Sequence, residues 1–278
     1  MRLLPITLTM AAFVAPMPAW AMPQNAVVPV AAPTLAALSV EDFALLKKAV
    51  DAVQKYPVAL SSDVQVKAVG SGVVMTINET VSATGQFGQA TNAPGKFRSD
   101  VVLLDEDGKS AAAKFEVVSD GRVVSTHRLS KKEYAEQALG VFRKDFAVPT
   151  LGIVCGLIAS GDPWGGDDAP ADAAGVTAFL DTLKTAGLIL ESGDAGSGRR
   201  LFVMRSADEK TNPFRVSMTV EPASTSFVRM ELQTRSGDWK ITITEIVRSL
   251  AKMPPTTIAP FAPPADAKKV EKVSVLPF

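Results

Sequence analysis

Beyond residue 60 the hydrophobic pattern of this chain switches from a period near 3.6 to a period of 2 and returns to it in segment after segment. Val64, Val66 and Ala68 alternate with Gln65 and Lys67, and Val73, Met75 and Ile77 alternate with Val74, Thr76 and Asn78. A chain whose side chains alternate in this way places one row on each side of a pleated strand, so it is committed to a sheet with one buried face. Gly70-Ser-Gly72 between the two runs predicts a tight hairpin. Further strands are predicted over Phe97 to Leu104, Ser110 to Val118 and Arg122 to Leu129. The turns between them, Asp105-Glu-Asp-Gly108 and Ser119-Asp-Gly121, carry the Asp-Gly chemistry of antiparallel connections. A second series follows: Ile189 to Glu191, Arg200 to Met204, Phe214 to Glu221, Phe227 to Gln233 and Trp239 to Val247. Gly193-Asp-Ala-Gly-Ser-Gly198 has no Lys to hold a phosphate and reads as the turn of a hairpin.

Helical spacing occurs between these series. Ser39 precedes two acids, and Phe43, Leu46, Val50 and Val53 recur at helical intervals, which predicts an amphipathic helix from residue 40 to Tyr56, halted near Pro57. Ser130-Lys-Lys-Glu133 has the form of a capping box and predicts a helix running through Tyr134 and Leu139. Phe146 to Ala159 is an apolar run with Pro149, Gly152 and Gly156, too short to span a bilayer and poor in helix propensity; it reads as a lid or as core. After an acidic loop from Gly161 to Ala174, Val176 to Leu188 reads as another amphipathic helix. The fold class expected is α+β, a large antiparallel sheet covered by a few helices.

The N-terminus places the domain. Arg2, an apolar stretch to Val14 and Ala19-Trp-Ala21 form a secretory signal with cleavage expected after Ala21. Residues 22–38, rich in Pro, Ala and Val, read as an extended spacer, and residues 39–278 as one domain. The destination is the periplasm. Cleavage removes Arg2 and leaves 28 basic against 29 acidic residues, a balance that argues against a nucleic-acid partner. Cys155 is the only cysteine, so the domain forms no internal disulfide, and its apolar neighbours predict a buried, inert thiol.

Catalytic chemistry has no sequence sign. The single histidine, His127, lies in a strand pattern with no acid or Cys at ligand spacing and reads as a partly exposed strand residue. Asp162, Asp167, Asp168 and Asp172 lack the spacing of a calcium loop and read as a solvated acidic loop. No enzyme activity, metal or cofactor is expected. Binding chemistry is better represented. Phe214, Val216, Met218 and Val220 share one strand face; Val228, Met230 and Leu232 share another; Trp239, Ile241 and Ile243 a third. Methionine is flexible and polarizable and suits a wall that meets varied apolar shapes, so Met75, Met204, Met218, Met230 and Trp239 are the candidate ligand-binding residues. Ordinary core filling is the competing reading.

Two segments carry a family resemblance. Ser119-Asp-Gly-Arg-Val-Val-Ser-Thr-His-Arg-Leu-Ser-Lys-Lys-Glu-Tyr134 is similar to the strand, turn and strand leading to a tyrosine in periplasmic lipoprotein carriers of the LolA/LolB type. Phe261-Ala-Pro-Pro-Ala-Asp-Ala-Lys-Lys-Val270 resembles the ending seen in an uncharacterised group of predicted periplasmic proteins with that fold, with Asp266 where the ending usually has Gly. The family's internal arginine matches no position here. The resemblance implies a half-barrel closed by helices and a non-enzymatic carrier or sensor for a lipid or a lipoprotein acyl chain. The alternative is an envelope module that binds a protein partner through its groove or a sheet edge.

Overall fold

The computed structural model describes residues 34–88, 95–105, 108–161, 170–254 and 258–275. The signal, most of the spacer and Asp162, Asp167 and Asp168 of the acidic loop lie outside them. The chain forms β1 (Leu35–Ala37), α1 (Val40–Gln54), β2 (Val58–Gly70), β3 (Val73–Gly85), β4 (Lys96–Leu104), β5 (Ala111–Asp120), β6 (Val123–Arg128) and β7 (Glu133–Ala138). There follow α2 (Leu139–Asp145), α3 (Ala147–Ser160), α4 (Ala173–Thr185), β8 (Leu188–Gly196), β9 (Arg199–Ser206), β10 (Arg215–Glu221), β11 (Ser226–Ser236), β12 (Trp239–Lys252) and β13 (Lys268–Lys269). The thirteen strands of the described residues belong to one open, curved sheet in the order β1-β8-β9-β10-β11-β12-β2-β3-β4-β5-β6-β7-β13. It consists of two consecutive meanders, β2 to β7 and β8 to β12. They are joined by the antiparallel pairing of β12 with β2.

The hairpin expected at Gly70-Ser-Gly72 has both central residues at positive φ, 50° at Ser71 and 76° at Gly72, the combination that matches the twist of flanking strands. Asp120 closes the β5–β6 turn by accepting from the amides of Arg122 and Val123 at 2.7 and 2.8 Å. In α1 the Ser39 hydroxyl accepts from the Asp42 amide, and Phe43, Leu46, Ala49, Val50 and Val53 are buried. Arg200 and Ser192 then hold the Asp42 carboxylate against the sheet. Burial alone would raise the pKa of Asp42, but the Arg200 guanidinium and the Ser192 hydroxyl outweigh it and the net direction is down.

Several expectations are corrected. Residues 133–138 form a strand, not the first turns of a helix. Lys132 sits at φ 53°, the chain reverses, and Glu133–Ala138 pairs with β6 on one side and Lys268–Lys269 on the other. The cap-like sequence is satisfied locally by a turn, and tertiary pairing decides the rest. His127 is buried, only 6% exposed, because Phe261 from the distant C-terminal segment packs on its ring at 5.9 Å. On β11 a register shift opposite Thr219/Val220 makes Val228 the extra residue, so Phe227 rather than Val228 joins Met230 and Leu232 on the buried face. The last residues of the expected spacer, Leu35–Ala37, pair with β8 as an edge strand. The second amphipathic helix starts earlier than expected, at Ala173, because Asp172 caps it by accepting from the Gly175 amide.

The two segments that carried the resemblance meet in space. Phe261 packs on Tyr134 at 5.6 Å, Lys132 pairs with Asp266 at 2.6 Å, and the Val270 amide donates to the Tyr134 carbonyl at 2.9 Å.

Candidate functional site

One face of the sheet is covered by α1, α3 and α4, and following the register across that face gives its chemistry row by row. The central row reads Ser192, Phe202, Met218, Met230, Glu245, Val64, Glu79, Leu103 and Ala113. The next row toward the β2–β3 turn contains Leu190, Met204, Val216, Leu232, Ile243, Val66 and Ile77; beyond it lies Met75 with Ala68 and Ile241, and then Trp239 near Gly70. All five candidate residues therefore share the covered face. They are graded along it. Met218 and Met230 lie beneath the helices at 8% and 3% exposure, whereas Met204, Met75 and Trp239 are half-buried toward the end of the sheet.

Sequence reading passed over two members of the central row. Glu245 is fully buried and Glu79 is 1% exposed. Strand parity alone places Glu245 with Ile243 and Glu79 with Ile77 on the apolar face; that alternation was the available signal. Above them α3 is broken. It starts with Pro149 in its first turn, where proline's missing amide is harmless, and Gly152 then leaves the helical region with φ 74° and ψ 175°. A Cβ at Gly152 would come within 2.2 Å of Glu245 Oε1. Only glycine satisfies both the backbone angle and the close approach.

The break is bound to the sheet by polar groups. Ser99 on β4 donates to the Thr150 carbonyl at 2.9 Å, and Glu245 Oε2 accepts from the Val154 amide at 2.9 Å, the first turn of the helix after the break. A carboxylate suits the positive end of a helix. Burial raises the pKa of Glu245, opposed by the Val154 amide and the nearby Ser62 hydroxyl. Glu79 has no such donor. Burial first, and the charge of Glu245 second, push it up to about 8, so it holds its proton at neutral pH. Cys155, in α3, is fully buried and its thiol is pushed well up by burial and by Glu245. This agrees with the inert reading.

Elsewhere on the molecule, an open hollow of about 450 Å³ is lined by Phe214, Arg215, Gln233, Arg235 and Lys240, among others. Among the described residues no group of three or more His, Cys, Asp or Glu side chains could hold a metal ion, and no helix is long and apolar enough to cross a membrane.

No protein-family model matches the chain, and no curated protein matches it. Several solved structures align with this chain over most of its length. An uncharacterized conserved protein from Thermus thermophilus aligns over 82% of this chain and 98% of its own, at 11% identity and a TM-score of 0.38. A LolA superfamily protein from Nitrosomonas europaea aligns over 77% and 94%, at 10% identity and a TM-score of 0.31. A putative outer membrane lipoprotein-sorting protein domain from Vibrio parahaemolyticus aligns over 77% and 93%, at 8% identity and a TM-score of 0.31.

Proposed function

We propose that this is a non-enzymatic binding protein of the cell envelope that takes an apolar chain, such as a lipid or lipoprotein acyl chain, onto the covered face of the sheet, with α3 as the displaceable cover. The observation that supports it is the grading of one continuous apolar face. Trp239, Met75 and Met204 form a half-buried approach, and Met218 and Met230 continue it beneath a helix that is broken at Gly152. Small-ligand sites combine an apolar wall with a few polar groups in this way, and a break gives the cover a natural hinge.

Trp239 offers a direct test. In a Trp164→Phe background the mature protein keeps one tryptophan, Trp239. A brominated fatty acid that enters along this face quenches its emission with saturation, and Met204→Arg abolishes the quenching while leaving the melting curve intact, because an arginine at this half-buried site extends to water. Absence of saturable quenching removes the carrier reading.

A second reading, a protein-interaction module, is favoured by one observation. β3 pairs with β4 only from Glu79 onward, so Val73–Asn78 runs beyond its neighbour with no charged residue along it. Natural edges are usually guarded by charge or proline, and an unguarded one accepts a partner's strand. Native mass spectrometry of protein purified from the periplasm separates the two: bound lipid supports the carrier, and a lipid-free protein with a stoichiometric partner supports the module.

A further inference from the structure

We propose that Glu79, Glu245 and Ser62 form a binding site for a hard divalent cation, calcium above all, between the centre of the sheet and the break in α3. The site shares the break in α3 with the acyl-chain reading but stands on a different observation, a set of buried oxygens that reading does not use. Val64 separates the two glutamates in the central row, and Ser62, two residues before it on β2, lies diagonal to both on the same face. All three are buried to 1% exposure or less. Glu79 Oε1 and Oε2 have no hydrogen-bond partner, and Ser62 Oγ and Glu245 Oε1 have none of full hydrogen-bonding geometry, although the Ser62 hydroxyl lies near enough to Glu245 to lower its pKa.

Unpartnered buried oxygens are rare in folded proteins, and their concentration on adjacent register positions of one face makes a candidate donor set. Every donor is oxygen, the ligand type of calcium and magnesium rather than of zinc or copper. Glu79 offers both carboxylate oxygens, the bidentate mode that calcium's loose coordination accommodates. The two carboxylates carry the charge a divalent ion cancels. Glu245 needs no rearrangement of the helix to take part, because the Val154 amide occupies Oε2 and leaves Oε1 beside Gly152. The core around the site, Val64, Val81, Leu151 and Ile153, is apolar, so no lysine or arginine substitutes for the ion in this row.

The mature full-length protein, stripped with EDTA and dialysed, is titrated with CaCl2 and separately with MgCl2 near pH 7.5. Thermal melting is followed at each concentration. The expected result is a wild-type melting temperature that rises by about 5 °C or more at saturating calcium. Glu79→Gln, which keeps shape and removes charge, loses the response, and Ser62→Ala weakens the apparent affinity roughly tenfold. A wild-type melting curve insensitive to both ions overturns the proposal. So does a rise of equal size in Glu79→Gln, which would assign the ion to another acidic surface. Should Glu79→Gln fail to accumulate, Ser62→Ala still decides the matter: an apparent calcium affinity equal to that of the wild type overturns the proposal. Fatty-acid quenching of Trp239 is measured on the same samples. Its presence or absence does not enter this test, so the carrier reading and the cation site stand or fall separately.

Discussion

Replacing Glu79 by glutamine isolates the cost of keeping an ionisable group at the centre of the sheet. In the unfolded chain this carboxyl titrates near the ordinary value of 4.5; in the folded protein burial and the neighbouring Glu245 move it to about 8. Below pH 4.5 it is protonated in both states and has no effect on the difference between them. From pH 4.5 to 8 the unfolded chain releases the proton while the folded protein keeps it, so stability falls by about 1.4 kcal/mol for each pH unit. Above pH 8 both states are ionised and the slope vanishes. The accumulated loss is about 5 kcal/mol, a large part of the net stability of an ordinary domain. Glutamine has the same shape and no proton to lose. Urea unfolding of both proteins in EDTA, at half-unit steps from pH 5 to pH 9, therefore gives curves that start close together and separate steadily. The variant ends the more stable by several kcal/mol at pH 9. The strongly hydrogen-bonded aspartates Asp42, Asp105, Asp120 and Asp208 are all shifted down and so do not titrate in this window. Parallel curves across the whole range would refute the reasoning and show that Glu79 reaches solvent in the folded protein.

Gly152→Ala has to accommodate a Cβ against Glu245 Oε1 at a backbone angle that side chains rarely adopt, so a loss of about 3 kcal/mol or more is expected in urea unfolding; a loss below about 1 kcal/mol contradicts the tight break. Cys155→Ala removes one buried sulfur and is expected to lower stability by about 1 kcal/mol while leaving fatty-acid binding unchanged, and a well-folded variant that no longer binds would show that the thiol has a role. N-terminal sequencing of protein from the native host should begin at Met22; an intact Met1 in the membrane fraction contradicts the cleaved signal.

Most of the sheet was legible in the sequence because antiparallel strands with one buried face write their geometry into the chain at a period of 2. Val64 to Ala68, Met218 with Val216, and Ile241 with Ile243 all lie on the face their alternation assigns. What the chain does not write locally is which distant segment covers a given row. His127 is buried by Phe261, and Glu133–Ala138 is drawn into the sheet by β6 and by Lys268–Lys269. The candidate site was legible in part. Met218 and Met230 were found by parity, yet Glu79 and Glu245 occupy equivalent positions and were read past, because a charged residue in an alternating strand ordinarily marks its wet side. The break at Gly152 was foreshadowed only by poor helix propensity, since its cause is a carboxylate 93 residues away in the chain.

The seam between the two meanders has a consequence for how the molecule is made. β2 is the first long strand to emerge and β12 the last, and Val64 finds Glu245 only after some 180 residues have intervened. Contacts of such sequence separation form slowly, since the intervening chain must be searched before they reward it. As the chain emerges N-terminus first, the half containing β2 to β7 would thus wait with its central strand edge bare until nearly the whole polypeptide has arrived, an interval in which it is open to aggregation and a natural client for a holding chaperone.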